Sequence, residues 1–251
     1  MEIKTKKKNK FNISIIKKNK PTKKRNYILK ILKLQKDKEE LIKLIKTYNI
    51  KEETLEALKK IPRELFVPYK LINETYINKP LSIPCDQTVS QPTLICSMID
   101  SLELQPTDKV LEIGTGLGYN ASIISLLCLD ITTIEIYRAL YKYAKIINKK
   151  LRKHTILNKN IKFIHKNGYK GYQKNAPYNK IIVTCGLEGP DIPIDLIEQL
   201  MEKGILLIPR KNYNNHIGER LHKYRKINGI LEEDPDYNKL DVRFVKYENP
   251  T

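Results

Sequence analysis

The chain has 251 residues, of which 41% are hydrophobic and 30% are charged, so it has enough apolar side chains for one α/β domain with additions. No run of about 18 apolar residues is present, and no apolar segment follows the basic start, which argues against a membrane-spanning helix and a secretory signal. The formal net charge is +19, and residues 1–36 hold 14 Lys or Arg against one acid. The excess of positive charge is therefore placed mainly in this first segment.

Residues 1–36 show no clear hydrophobic period and are predicted to form a basic, disordered extension. Such an extension is one means of attachment to nucleic acid or to an anionic membrane surface. We favour a solvated extension without a partner, because the whole chain is rich in Lys, Asn and Ile. An organelle-targeting presequence is disfavoured, since such segments are usually rich in Arg and Ser.

The four cysteines are scattered along the chain, at Cys85, Cys96, Cys128 and Cys185. They form no C-x-x-C pair and no spacing with histidine that is typical of zinc ligands. We therefore predict reduced thiols, no disulfide framework and no metal site. Reduced thiols without a secretory signal indicate a cytoplasmic protein.

Residues 37–251 are predicted to form a single domain, whose first part comprises residues 37–93. Apolar side chains recur at helical spacing in two stretches and predict a helical hairpin, with Leu41, Ile42, Leu44 and Ile45 in the first stripe and Leu55, Leu58 and Ile61 in the second. Pro62 ends the second helix because it lacks an N–H donor and restricts its predecessor. Residues 62–93 are rich in Pro, Asn and Tyr and predict an irregular but ordered loop. Helical spacing resumes from Leu94 to Leu104.

Residues 110–136 carry the strongest functional signal. A short apolar strand, Val110–Ile113, is followed by a glycine turn, a helical stretch to Leu127 and a second strand that ends in Glu135. This order is typical of a nucleoside-binding βαβ unit, in which the terminal acid accepts hydrogen bonds from ribose hydroxyls. A dinucleotide fingerprint would need its third glycine at position 119, which is Tyr119. The observed order, E-x-G-x-G-x-G, instead resembles the first motif of S-adenosylmethionine-dependent methyltransferases.

The downstream chain alternates helices with buried strands. A helix over 137–151 precedes a strand, Ile161–His165, and two further apolar strands are predicted at Lys180–Thr184 and Gly204–Ile208. Continuous apolar strands between helices favour a parallel sheet covered on both faces. The segments 221–227 and 242–247 predict antiparallel strands.

The predicted fold class is therefore α/β. We expect a three-layer α/β/α sandwich with a Rossmann-like, mostly parallel sheet and antiparallel carboxy-terminal edge strands. A helical addition precedes it, and residues 94–251 form the cofactor-binding core.

Several segments together resemble the protein-L-isoaspartate O-methyltransferase family, over about residues 38–247. PRELFVP, QTVSQP and LEIGTGLGY stand in the family's order and approximate spacing, and NAPYNKIIVTCG, GILLIP and VRFV follow. The resemblance implies methyl transfer from S-adenosyl-L-methionine to the free α-carboxylate of L-isoaspartyl residues in damaged proteins. Isoaspartyl peptides and proteins are the partners it implies, and we expect a monomer.

The resemblance also assigns the site residue by residue. Ser90, in QTVSQP, matches the active-site serine, which would position the substrate carboxylate by hydrogen bonding. The loop that closes over cofactor and substrate corresponds to Gln87, Thr88 and Val89. The cofactor-binding positions are Glu112, Gly114, Thr115, Gly116, Gly118, Glu135, Ile136, Asn167 and Gly168. Among these, Glu135 matches the acid that binds the ribose, and Asn167-Gly168 lies where the family usually has Asp-Gly beside the adenine.

Three positions depart from the family's pattern. Asp86 stands where the family usually has a small residue, and a carboxylate there would repel a carboxylate substrate unless it points away. Asn167 replaces aspartate, and Lys166 replaces glycine. Two alternatives therefore stay open: a methyltransferase of the same fold with another substrate, and a non-catalytic binding protein that uses the basic segment.

Overall fold

The computed structural model describes residues 23–154, 157, 160–186, 191–211, 219–237, 240–242 and 244, with the backbone alone for residues 23–28. Within these ranges the helices are α1 (Lys23–Lys46), α2 (Glu52–Lys60), α3 (Pro92–Ser101), α4 (Tyr119–Ile124), α5 (Arg138–Lys153) and α6 (Ile194–Gln199). The strands are β1 (Leu81–Ser82), β2 (Thr88–Val89), β3 (Lys109–Ile113), β4 (Asp130–Glu135), β5 (Ile161–His165), β6 (Tyr178–Val183), β7 (Leu200–Lys211), β8 (Glu219–Ile227), β9 (Ile230–Glu233) and β10 (Asp241–Val242).

One sheet of eight strands organises the described part of the chain. Its order is β10-β8-β7-β6-β3-β4-β5, with β9 paired to β8. Strands β7, β6, β3, β4 and β5 run parallel, whereas β8 is antiparallel to β7, and β9 and β10 are antiparallel to β8. The predicted Rossmann-like sheet with antiparallel edge strands is thus confirmed. The strand order reverses beside β3, where ligands of such sheets bind.

Helices cover both faces of this sheet because successive residues of its strands point to opposite sides. Val110 of β3 packs with the core under α1–α5, whereas Leu111 and Ile113 pack with the core on the α6 side. Ile181–Val183 of β6 and Ile205–Ile208 of β7 are continuous apolar runs because both faces of these strands are buried. No described helix is both long and apolar enough to cross a membrane.

Helix α1 begins well before the predicted helical hairpin. The prediction of a disordered extension is wrong for residues 23–36, which belong to α1, while residues 1–22 lie outside the described residues. Leu34 packs against the core, and the Lys38 Nζ donates a hydrogen bond to the Lys59 carbonyl at 2.7 Å. Contacts with α2 and α3 therefore stabilise a segment whose own sequence shows no helical period.

Helix α4 and the last strand also differ in length from their predictions. Helix α4 ends at Ile124, three residues before the predicted Leu127. The Ser125 hydroxyl donates to the Ser122 carbonyl at 2.8 Å, and such side-chain bonds compete with the helical backbone. The strand predicted over 242–247 is described as β10 to Val242, and residues 243 and 245–247 lie outside the described residues.

Candidate active site

The glycine turn after β3 is the structural centre of the site. Gly114 has φ +104°, and a Cβ there would lie 2.5 Å from the Thr184 Oγ1, so any side chain would collide with the end of β6. The N–H groups of Gly114 and Thr115 donate to the Ile134 carbonyl at 3.0 and 3.1 Å. The turn is thereby fixed against the carboxyl end of β4.

Glu135 joins the glycine turn to the start of α5. Its Oε2 accepts from the Gly116 N–H at 2.7 Å, and its Oε1 accepts from the Tyr137 N–H at 2.9 Å. Burial raises the pKa of Glu135, and the hydrogen bonds from these backbone N–H groups oppose the rise. The carboxylate is held in one orientation, and each oxygen keeps a lone pair for a ligand.

Glu135 lines a pocket at the carboxyl ends of β3, β4 and β6, here called the Glu135 pocket. Seven of the predicted cofactor or loop residues line it, namely Gln87, Thr88, Gly114, Gly116, Glu135, Ile136 and Gly168. Apolar walls come from Ile113 and Ile134, and Tyr137, Thr184 and Cys185 complete the lining. The pocket thus combines an acid, a side-chain-free backbone surface and apolar walls, which suits a nucleoside.

A second pocket, here called the Ser90 pocket, adjoins the first. It is lined by six predicted residues, Thr88, Val89, Ser90, Gly114, Thr115 and Gly116, together with residues of α3 and α4. Thr88, Gly114, Gly116 and Thr184 line both pockets. Two ligands in the two pockets would therefore meet across the glycine turn.

Arg63 holds the loop that carries Ser90. Its guanidinium is fully buried and donates to four carbonyls, those of Thr75 (3.0 Å), Ile77 (3.4 Å), Lys79 (3.3 Å) and Ser90 (2.9 Å). It also lies over the ring of Tyr119, 5.8 Å from Cζ to centroid, and Tyr119 lines the Ser90 pocket. Burial lowers the pKa of Arg63, and nearby Tyr119 and Tyr76 oppose the fall. The irregular loop predicted at 62–93 is ordered around this one cation.

Glu112 is fully buried behind the Ser90 pocket. Its Oε1 accepts from the Asn120 Nδ2 at 2.7 Å, and its Oε2 accepts from the Thr133 hydroxyl at 2.5 Å. Thr133 in turn lies 2.6 Å from the Thr115 hydroxyl. Burial raises the pKa of Glu112 to about 7, against the lowering effect of the two hydrogen bonds. Glu112 therefore positions wall residues of the pocket.

The sequence profile of the protein-L-isoaspartate(D-aspartate) O-methyltransferase family matches residues 35–249. The chain belongs to this family. The family predicted from the sequence is thus confirmed, together with methyltransferase activity and S-adenosyl-L-methionine as methyl donor.

Relatives in other organisms agree with this membership. A protein-L-isoaspartate O-methyltransferase of Thermosipho melanesiensis is 40% identical over 193 residues, which are 76% of this chain and 91% of the relative. One from Methanococcus maripaludis is 36% identical over 193 residues, 76% of this chain and 84% of the relative.

Solved structures of family members share the fold. One protein-L-isoaspartate O-methyltransferase superposes with a TM-score of 0.71 and 26% sequence identity. The superposition covers 84% of this chain and 66% of the other chain, which is just under two thirds of that chain's length. A putative family member from Plasmodium falciparum, in complex with S-adenosyl-L-homocysteine, superposes with a TM-score of 0.69 and 21% sequence identity. This superposition covers 98% of the Plasmodium falciparum chain.

Three predicted cofactor-binding positions of this methyltransferase line neither pocket. Glu112 is buried behind the Ser90 pocket, and Gly118 begins α4, where a Cβ would contact Ala144 and Phe163 at 3.4 Å. The Asn167 Oδ1 accepts from the Tyr169 N–H at 2.8 Å and thereby closes the turn that presents Gly168. Their roles in cofactor binding stay predictions, and in the structure each of them supports neighbouring residues.

Sequence reasoning missed several lining residues of this methyltransferase. Thr184 and Cys185 follow β6, whose carboxyl end meets those of β3 and β4, and burial raises the pKa of the Cys185 thiol to about 12. The sequence contains a signal for Thr184 and Cys185, because the predicted buried parallel strand ends at this point and ligands bind at the carboxyl ends of such strands. Met98 and Asn120 line the Ser90 pocket from α3 and α4, and no local pattern marks them.

The substitution Glu112→Gln is expected to change how the stability of this methyltransferase depends on pH. Because the folded pKa, about 7, exceeds the ordinary value of 4.5, the native chain retains a proton that the unfolded chain has lost. This stabilisation is complete below pH 4.5 and is lost as pH rises toward 7. Relative to the native chain, Glu112→Gln should therefore gain up to about 3 kcal/mol between pH 4.5 and pH 8. Urea unfolding at both pH values measures it, and a pH-independent difference would contradict the assignment.

Proposed function

We propose that this chain transfers a methyl group from S-adenosyl-L-methionine to the free α-carboxylate of L-isoaspartyl residues in damaged proteins. The observation that carries the proposal is the contiguity of the Glu135 and Ser90 pockets, which share Thr88, Gly114 and Gly116. Methyl donor and acceptor would bind on either side of one turn. Juxtaposition of the two reactants is the main requirement of a direct transfer.

The Glu135 pocket fits the methyl donor. Gly114 and Gly116 line the pocket without side chains, so a ligand can contact the backbone of the turn, and the Glu135 carboxylate can accept hydrogen bonds from ribose hydroxyls. The apolar walls at Ile113, Ile134 and Ile136 match the faces of an adenine ring. When bound, S-adenosyl-L-methionine supplies a methyl group made electrophilic by its sulfonium.

The Ser90 pocket fits a carboxylate that needs no base. A carboxyl group with a pKa near 4 is already ionised at neutral pH. Among the described residues that line the pocket, hydroxyls and an amide supply the polar groups, and burial raises the pKa of Tyr119 so that its phenol stays neutral. In this proposal the Ser90 hydroxyl donates a hydrogen bond to one carboxylate oxygen and orients the other oxygen toward the methyl donor. Residues of the loop and of α3 and α4 enclose the pocket and limit the access of water to the transfer.

Asp86 no longer argues for a different substrate. It has φ +53° and follows Cys85 at φ +62°, in the turn between β1 and β2. This left-handed backbone explains why a small residue, typically glycine, is usual at the position. Asp86 is exposed and lines neither pocket. The isoaspartyl substrate is therefore preferred over an alternative substrate of the same fold, while the cytoplasmic location and the monomeric state stay predictions.

Ser90→Ala tests the assignment of the acceptor pocket. Loss of one hydrogen bond to a charged carboxylate should lower kcat/KM for an isoaspartyl peptide by about 10- to 100-fold, while the Kd of S-adenosyl-L-methionine changes less than about two-fold. Initial rates with labelled methyl donor and isothermal titration measure the two quantities. Ser82→Ala, at an exposed position of β1, is the matched control and should retain the native rate. An unchanged rate in Ser90→Ala, or an equal loss in both variants, would remove the proposed role.

A further inference from the structure

The positive charge of this chain is divided between two segments. Residues 136–187 contain 13 Lys or Arg and no Asp or Glu. The other parts of the domain, residues 37–135 and 188–251, hold 20 Lys or Arg against 27 acids, so their net charge is negative. The interpretation that placed the excess mainly in residues 1–36 is thus incomplete, because an equal excess lies within the folded domain.

Helix α5 presents most of this second excess on one surface. Its buried side packs on the sheet through Leu140, Ala144, Ile147 and Leu151. Its exposed cations are Arg138, Lys142, Lys145, Lys149, Lys150, Arg152 and Lys153, and in the described part of the chain none of them forms an ion pair with a carboxylate. These seven cations are called the basic face.

The cations recur about once per helical turn along α5. From Arg138 through Lys142, Lys145 and Lys149 to Lys153 the spacing is three or four residues, which is roughly 5 Å per step and about 22 Å in all. Like charges at this spacing repel each other and destabilise the helix. The row lies outside the packing side of α5, and Lys145 donates to the Tyr141 hydroxyl of the same helix at 3.2 Å. A row of phosphates would remove the repulsion.

Two exposed apolar side chains lie among these cations. Tyr143 and Ile146 are each 52% exposed on the outer side of α5. Proteins that bind single strands combine a cationic track for the phosphates with aromatic side chains on which bases stack. We propose that the basic face binds single-stranded nucleic acid, with phosphates along the α5 cations and a base stacked on Tyr143.

The position of the α5 cations favours single-stranded nucleic acid over a peptide substrate and over a membrane surface. Helix α5 begins next to Tyr137, which lines the Glu135 pocket, and runs away from it. A peptide held at the Ser90 pocket would need only the near end of the row. A membrane-bound helix buries a continuous apolar face, whereas the apolar face of α5 is covered by the sheet.

The test compares two triple variants of the full chain. Lys142, Lys145 and Lys149 are changed to Gln in one, and exposed Lys43, Lys60 and Lys70, on other elements, are changed to Gln in the control. Binding of a fluorescent oligouridylate of about 20 nucleotides is measured by anisotropy over a salt series. The α5 triple should weaken binding at least ~10-fold and reduce the slope of log K against log salt by about 2, since each single-strand phosphate contact contributes about 0.7. The control should stay within about two-fold.

Other outcomes would overturn the proposal. The first is that the native chain does not bind the oligonucleotide near 0.1 M salt, about the physiological range. The second is that both triple variants weaken binding equally. The third is that binding depends on residues 1–22 but not on α5. Binding of phosphatidylserine vesicles without oligonucleotide binding would instead assign the face to a membrane. Tyr143→Ala should weaken oligonucleotide binding several-fold and leave heparin binding unchanged, with rescue by Tyr143→Phe. Equal effects on both ligands would show that the face recognises charge alone and would contradict stacking.

Discussion

Arg63→Met is expected to lower the free energy of unfolding by at least about 3 kcal/mol and to reduce methyl transfer by more than about 10-fold. The substitution removes the donor of four carbonyls between Thr75 and Ser90 and leaves buried acceptors without partners. Because one of these carbonyls belongs to Ser90, the loop that positions the acceptor should lose its fixed conformation. The loss of activity should therefore persist at temperatures where the variant is fully folded.

The matched control for this substitution is Arg152→Met, at an exposed position of α5. It should change stability by less than about 0.5 kcal/mol. Arg63→Lys should fall between the native chain and Arg63→Met, because an ammonium keeps the charge but lacks the planar fork that reaches carbonyls on two sides. Urea unfolding and initial rates measure both effects. Native stability and a native KM in Arg63→Met would contradict the role of Arg63 in ordering the loop.

Glu135→Ala is expected to weaken S-adenosyl-L-methionine binding by about 100-fold or more. The carboxylate would accept from ribose hydroxyls, and hydrogen bonds to a charged group contribute about 1.5–3 kcal/mol each. The substitution also removes the acceptor of the Gly116 and Tyr137 N–H groups, so the glycine turn loses its attachment to α5. Isothermal titration with the methyl donor measures the change in Kd.

The control for Glu135 separates ribose binding from support of the turn. Glu135→Gln keeps an acceptor for one backbone N–H and should retain most of the stability while it still loses roughly 10-fold or more in affinity. Glu198→Ala, on helix α6, should leave affinity unchanged. If Glu135→Ala bound S-adenosyl-L-methionine with native affinity, the assignment of Glu135 to the ribose would be wrong.

The central sheet was predictable because its signals are local. The strands β3, β4 and β5 are short segments bounded by turns, and the predicted Ile161–His165 coincides with β5. The start of α1 was not predictable from its own sequence. Residues 23–36 lack a helical period, and they are helical because the rest of α1 packs on α2 and α3. Tertiary contacts of this kind override local propensity.

The residues of the site also divide into those that local sequence signals predict and those that depend on tertiary contacts. The glycine turn and Glu135 are marked by spacing within one βαβ unit, and Ser90 by a resemblance that extends over most of the chain. The role of Arg63 was not visible, since its hydrogen bonds join residues 12 to 27 positions apart. The basic face is not visible in the net charge of residues 37–251, because acids in residues 37–135 and 188–251 offset most of its charge. Its alignment along one helix becomes evident once α5 is placed at the edge of the sheet.

The most direct test of the proposed function compares two peptides that differ only in one linkage. The native chain is incubated with labelled S-adenosyl-L-methionine and either an L-isoaspartyl peptide or its aspartyl counterpart, and base-labile methyl incorporation is measured. We expect incorporation into the isoaspartyl peptide alone, because its free α-carboxylate is the acceptor that the Ser90 pocket would hold. Equal labelling of both peptides, or no labelling of either by a chain that binds the methyl donor, would contradict the proposed function.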